Sequence, residues 1–589
     1  MTTFLSRCAE GQTDMASENE GSSALPSDYE IAQAAEMEPI ADVLADWGVN
    51  EDDLEQYGEY KAKLSLDAVN RLRDNAAEKD GNLILVTGMT PTPMGEGKTV
   101  TTVGLGQTLN HVGEDAMICI REPSLGPVFG VKGGAAGGGM SQVLPMEDIN
   151  LHFTGDLHAL TSAHNLIAAM LDAKLSQGNE LDIDVNQVVW PRALDMNERA
   201  LRDIVIGLGG ETGGTPRESR FLLTAASELM AVLCLSSDLA DLKERVSRII
   251  VAYTEDGEPV TADDIQATGP VTMLLRDAIK PNAVQTLEGT PAFIHGGPFA
   301  NIAHGTNSLI ADKAAFGMGD YLVTEAGFGS DLGAEKFMDI VCRFGEMAPN
   351  AVVLVSTVRA LKYHGLDMWP ADLDAVDEAG VEAVEAGFAN LDRHVTNIQK
   401  YGVPVVVAVN RFPTDTQEEL DTVVEHCRND LGVAAAESNV FGEGSEGGVE
   451  LAEAVIEQVE NGDPSEFAPL YESEDSIKEK IETVATEIYG ADGVNYTGDA
   501  EDAIARMEEL GFDDVPVCLS KTFHSFSDDP SKKGAPSGWE LEVREIYPSA
   551  GAGFLVALTG DVLDMPGLPA TPAAAGMDID ADGNISGLF

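Results

Sequence analysis

Short apolar runs, each closed by glycine, proline or polar turn residues, recur along this chain. They include Leu83–Val86, Ala116-Met-Ile-Cys-Ile-Arg-Glu-Pro-Ser124, Pro291–His295, Tyr321–Thr324, Ala351–Val355 and Val403–Val409. Runs of this length with no polar alternation predict strands buried on both faces, the pattern of a parallel sheet. Helical spacing fills the intervals, and each run is followed by a loop: Gly296–His304, Glu325–Asp331, Arg359–Lys362 and Asn410–Asp415. The prediction is a large α/β fold with a mostly parallel sheet and helices on both faces, with ligands gathered at the carboxyl ends of the strands. Ahead of it, Asp28 to about Ala77 reads as helical, from Ile31, Ala34, Ala35 and Met37 and then Leu54 to Leu72. The last ~100 residues, with Val543–Tyr547 and Gly553–Leu558 among many turn residues, predict a smaller mixed α/β or α+β domain. Residues 1–26 are polar and predict a disordered extension, and Met15 is an alternative start to Met1.

The first run carries the most chemistry. Leu83–Val86 leads through Thr92-Pro93-Met94-Gly95-Glu96-Gly97 into Lys98-Thr99 and a helix from about Thr99 to Val112. Strand, glycine-rich turn and helix start aim backbone N–H groups and a positive dipole end at one point, which suits phosphate. Lys98 would reach the β/γ-phosphates and the Thr99 hydroxyl would ligate Mg²⁺. The usual pattern has glycine where this chain has Thr92, so the standard phosphate loop is matched in part. A plain glycine-rich turn is the competing reading.

Arg121-Glu122 closes the next strand, and a right-handed strand–helix–strand unit would set these charges beside the loop. An arginine there can hold phosphoryl oxygens bidentately; a surface ion pair is the alternative. Glu325 and Asp331, past another strand, could hold Mg²⁺, whereas Asp331 could instead cap a helix. The run Gly133–Gly139 cannot pack a core and reads as a loop for close backbone approach. Most histidines read as structural. Phe412 and Phe441 stand in loops with little core to fill and could stack on a flat heterocycle or merely anchor those loops.

Charge changes the picture of where the protein works. The 589 residues carry 36 Lys and Arg against 100 Asp and Glu, a net charge of −64 spread along the whole chain. That disfavours a nucleic-acid partner, which needs a basic face. It points to a high-salt cytoplasm, where screening relieves self-repulsion. The longest apolar runs are too short for a bilayer, and no secretory h-region is evident, so a cytoplasmic protein is expected. Six isolated cysteines form no zinc or disulfide spacing and fit a reducing compartment.

At these residues the chain resembles the formate–tetrahydrofolate ligase family from about Ser27 to Phe589. The likeness rests on Thr90–Thr99, Arg121–Gly126, Lys132–Gly139, Met146–Asp156, His295–His304, Thr324–Lys336, Val358–Lys362 and Ser549–Gly553. Thr92 is itself the family's form of the loop. The resemblance implies a fold like that of the P-loop nucleoside triphosphate hydrolases. It implies ATP-dependent ligation of formate to tetrahydrofolate through formyl phosphate, with Mg²⁺, a monovalent cation such as K⁺ or NH₄⁺, and a homotetramer. By resemblance, Lys98, Arg121 and Glu122 serve catalysis, Thr92 to Thr99 hold ATP, Phe328 borders the formyl pocket, and Phe412, Pro413 and Phe441 hold folate. Phe441 replaces a common tryptophan, Glu443 a lysine, Thr306 a cysteine and Met140 a tyrosine. The expected domains are a P-loop nucleotide- and formate-binding domain at 27–365, a second α/β domain at 366–475 contributing folate-binding loops, and a smaller mixed C-terminal domain at 476–589. Two rivals stay open: a P-loop ligase for another acid or pterin carrier, and a nucleotide-binding regulatory protein.

Overall fold

The protein is described by a computed structural model covering residues 26–76, 79, 81–130, 136–369, 372–560 and 562–588. The predicted extension, apart from Pro26, and part of the glycine run after Lys132 lie outside the described residues. One sheet of 12 strands forms the centre. In chain order these are β1 Leu54–Gln56, β2 Ala62–Leu64, β3 Asn82–Gly88, β4 Ala116–Ile120, β5 Gly137–Gly138, β6 Ser141–Leu144, β7 Asn282–Thr286, β8 Pro291–Ile294, β9 Tyr321–Glu325, β10 Ala351–Ser356, β11 Val405–Asn410 and β12 Ala434–Ser438. Across the sheet the order is β1-β2-β7-β8-β4-β9-β3-β10-β11-β12, with β6 beside β7 and β5 beside β6. From β8 to β12 every pairing is parallel. The β1, β2, β6 and β7 edge is antiparallel.

The unbroken apolar runs are explained by cover on both faces. Leu83, Leu85, Val352, Leu354, Val405 and Val407 pack one way, with Leu361 and Leu391 of the helices Val358–Gly365 and Val381–Gln399. Ile84, Val86, Val323, Val353 and Val406 pack the other way, against Leu105 and Leu109 of α1 (Lys98–Val112) and Leu451 and Val455 of the helix Val449–Asn461. We label the helices Val358–Gly365 and Val381–Gln399 α2 and α3.

The helix α1 is buried continuously from Thr101 to Leu109 because it has neighbours on two sides. A Cβ on Gly106 would lie 2.3 Å from Ile118 of β4, and one on Gly104 would lie 2.4 Å from Val440. Both glycines therefore admit backbone-close packing. The buried hydroxyls of Thr101, Thr102 and Thr108 are satisfied by the carbonyls one turn back, of Gly97, Lys98 and Gly104.

Several expectations need correction. The stretch Leu54 to Leu72 is not helical throughout: it holds β1 and β2, with Leu54 opposite Leu64, before a helix at Leu66–Ala76. Pairing of β2 with β7 overrides the local helical spacing. Arg359–Lys362 is not a loop but the start of α2, whose N-cap Thr357 accepts from the Ala360 amide at 3.0 Å. The polar β7 and alanine-rich β12 were not predicted. The sheet includes β11, where the run Val403–Val409 predicts a strand, with β12 beyond it. Near the C-terminus, Val517–Ser520, Phe554–Leu558 and Glu545–Ser549 form a separate three-stranded sheet. Among the described residues, no helix is long and apolar enough to cross a membrane. The five described cysteines are buried and unpaired.

Replacing Gly106 with Ala tests the contact of α1 with the sheet. Helix propensity alone favours alanine, but overpacking costs about 1–3 kcal/mol. The expected result is a lower thermal midpoint; a raised one would show that α1 has room against β4.

Candidate active site

The loop between β3 and α1 is tied down at both ends. Gly97, at φ 77°, lets the chain turn into α1, and a Cβ there would sit 2.4 Å from Asn410 Nδ2. Glu96 faces inward. Its carboxylate accepts from the Thr92 amide at 2.6 Å and the Thr357 hydroxyl at 2.5 Å, and its carbonyl accepts from Asn410 Nδ2 at 3.0 Å. Pro93, Met94 and Gly95 form the exposed crest.

Thr90, at the other end, collects three side chains from two helices. Its amide donates to His394 Nε2 at 2.7 Å, its hydroxyl accepts from Asn390 Nδ2 at 3.1 Å, and its carbonyl lies 3.0 Å from His364 Nε2. A backbone amide can only donate, so His394 Nε2 is the acceptor and Nδ1 carries the proton toward Ser330 Oγ at 2.7 Å. Burial depresses the pKa of His394 to about 4 and of His364 to about 3, so both are neutral in the fold.

The chemistry gathers over the loop. The strand order sets β9 between β3 and β4, so Glu325 at its end stands between the groups those strands deliver. Glu325 accepts from Thr99 Oγ1 at 2.8 Å and from Arg121 Nη2 at 3.2 Å. The Lys98 stem lies back along Gly88. Burial pulls the Lys98 pKa down, the Glu96 and Glu325 carboxylates oppose that, and the Arg121 charge adds to it. Arg121 Nε is buried with no partner among the described residues. Cationic donors with a spare N–H, a helix N-terminus and a hydroxyl beside a carboxylate fit a magnesium-bound polyphosphate.

The remaining predicted residues divide. Glu122, beside Arg121 in sequence, has different neighbours: burial drives its pKa well up, the Asp156 and Asp195 charges add to that, and Lys63 opposes it. Its Oε2 has no partner among the described residues. Asp331 is held by Lys521 Nζ at 2.6 Å, both nearly inaccessible, so its charge is already matched. Asp331, read from the sequence as either a Mg²⁺ ligand or a helix cap, has this buried lysine as its partner. Phe328 follows Gly327, whose Cβ position lies 2.9 Å from Arg121 Nη1. Phe412 is half-buried under the Arg359 guanidinium at 5.4 Å, with Pro413 exposed beside it. Phe441 packs on the Gly138-Gly139 backbone, and its carbonyl accepts from the Met140 amide at 2.9 Å. His295 is satisfied by Ser308 and the Ala278 carbonyl, but buried His304 has no partner on either ring nitrogen among the described residues.

Sequence reasoning missed Thr357, Asn390, His394 and Lys521. Asn390 and His394 lie one turn apart on α3, a spacing that signals a shared face but not the Thr90 that it meets.

Comparison with known proteins gives a consistent result. The profile of a family described as formate–tetrahydrofolate ligase matches residues 26–589. A protein of that name from Haloquadratum walsbyi is 76% identical over 577 residues, covering 98% of this chain and 99% of the relative. Another from Haloarcula marismortui is 76% identical over 553 residues, covering 94% and 100%.

His394 makes a pH-dependent prediction. Its folded pKa lies below the ordinary value near 6.5, so the stability it lends is complete above about pH 6.5 and is lost as pH falls toward 4. The deficit of His394→Gln relative to the parent should therefore shrink between about pH 7.5 and 4.5, by at most about 3 kcal/mol. Denaturation at both pH values in concentrated KCl measures it. A constant deficit would mean that His394 is not held neutral.

Proposed function

The chain belongs to the formate–tetrahydrofolate ligase family, and from that premise we propose how its own residues join formate to tetrahydrofolate at the expense of ATP. The nucleotide lies on the Thr92–Thr99 loop, its phosphates against the α1 N-terminus and Lys98. A formate oxygen attacks the γ-phosphorus, the bond to the ADP oxygen breaks, and formyl phosphate forms. N10 of tetrahydrofolate then attacks the formyl carbon and phosphate leaves.

Formate is a weak nucleophile, so positioning and charge neutralisation supply most of the acceleration. Lys98 and Arg121 take that role. The observation that carries the reading is Glu325, bonded to both Thr99 Oγ1 and Arg121 Nη2 at the loop's mouth. Thr99 and Glu325 are the oxygens that would hold Mg²⁺, which offsets phosphate charge when bound. Glu122, whose pKa burial raises, stands next to Arg121 in the chain and completes the catalytic set. Phe328 borders the formyl group, and Phe412, Pro413 and Phe441 embrace the pterin. A monovalent cation, a homotetramer, a P-loop type of fold and a salt-rich cytoplasm complete the reading. The organisms of the two relatives, both haloarchaea, suit the charge of −64.

The direct test mixes protein, MgATP, formate and tetrahydrofolate in multimolar KCl, then acidifies to convert 10-formyl product to methenyl-tetrahydrofolate, read by absorbance. A signal that needs all three substrates is expected; its absence from folded protein would overturn the folate reading. Lys98→Ala should abolish turnover with the thermal midpoint retained, and near-parental kcat would sink the role given to the loop. Phe441→Trp enlarges the stacking surface and should lower the KM for tetrahydrofolate several-fold. An unchanged KM would separate this ring from the pterin.

A further inference from the structure

The segment from Lys521 to Gly534 is foreign to the main sheet, yet it closes over the end of the site nearest Phe328. It is fastened at both ends. Lys521 Nζ donates to Asp331 Oδ2 at 2.6 Å and to the Ser525 carbonyl at 2.5 Å. At the far end, Asn390 Nδ2 donates to the Gly534 carbonyl at 2.8 Å while also holding Thr90. In between, Lys533 Nζ donates to the His524 carbonyl at 3.1 Å and sits 4.7 Å from the Tyr363 ring and 4.4 Å from the Trp369 ring. Phe523 is thus carried on a braced segment.

Its ring lies flat on that of Phe328, with centroids 4.5 Å apart and planes 8° from parallel. Phe328 is confined on its own side too. Its φ is 59°, a conformation unusual for a residue with a Cβ. The preceding Gly327 is pressed between the Arg121 guanidinium and Ala300, where a Cβ would lie 2.9 Å from each. The following Gly329 is hemmed by Asp331 and the Met89 carbonyl. A ring held this way, one residue on from the glycine that faces the Arg121 guanidinium, cannot swing toward Phe523 while that ring is in place.

We propose that Phe523 is a positioning residue that restricts the reaction to a one-carbon acid by holding Phe328 forward against the acid-binding space. The proposal rests on the reading that Phe328 borders the formyl group. Formate offers no side chain to grip, so discrimination against acetate must come from exclusion, and exclusion needs a wall that does not yield. Stacking supplies the stiffness that a single half-buried phenylalanine on a loop lacks.

The test compares acid selectivity in the parent, Phe523→Ala, Phe523→Leu and Phe523→Tyr. Acyl phosphate made from MgATP with formate or acetate is trapped with hydroxylamine and read as the hydroxamate, in concentrated KCl. For Phe523→Ala, kcat/KM for acetate should rise relative to formate by about tenfold or more, with the KM for ATP unchanged. Phe523→Tyr, which keeps the stacked ring, should keep the parental ratio. Should the alanine variant fail to fold, the leucine variant decides, with a smaller shift in the same direction. A parental ratio in a folded alanine or leucine variant overturns the proposal while leaving the formate reading intact. A parent that gives no hydroxamate with formate overturns that reading, and this proposal with it.

Discussion

Two cations, Lys98 and Arg121, are brought within electrostatic reach of each other at the carboxyl edge of a parallel sheet, in a place where burial already disfavours charge. Such a pair is tolerable only with a counter-charge between them. Glu96 and Glu325 supply that charge, and the order of strands delivers the second: β9 inserts between β3 and β4 and ends in a carboxylate that reaches both Thr99 and Arg121. One side chain thus ties the start of α1 to the end of β4.

Much of this was legible in the chain. Strands buried on both faces announce themselves as unbroken apolar runs, which is why β3, β4, β8, β9, β10 and β11 were predicted close to their observed limits. The glycine-rich turn and its helix were legible because glycine, lysine and threonine spacing is a local constraint. What escaped was set by partners distant in sequence. β7 is polar and β12 alanine-rich, and each is a strand only because a neighbour offers hydrogen bonds. Likewise, the ion pair of Asp331 could not be foreseen, because Lys521, its partner, lies 190 positions on. The aromatic backing of Phe328 by Phe523 is of the same kind: no periodicity links two rings from separate sheets.

The acidic surface and the buried polar interior follow different rules. Outside, a charge of −64 is bearable where counter-ions are plentiful and screening lengths are a few ångströms. Inside, ionisable groups are neutralised one by one, Lys63 against Asp156 at 2.8 Å and Lys521 against Asp331 at 2.6 Å, where salt has little access. Dilution would therefore loosen contacts between surface elements before it touched the buried ion pairs.

The bracing of Thr90 has a bearing on synthesis. Thr90 lies early in the chain, yet the Asn390 that holds it also holds the carbonyl of Gly534, and Asp331 awaits Lys521. On a ribosome, the sheet strands that flank the loop emerge long before the segment that closes over it. The partners that brace the loop, as far as Asn410, are accordingly made about a fifth of the chain ahead of Gly534, and Asn390 gains its second partner only when synthesis is nearly over.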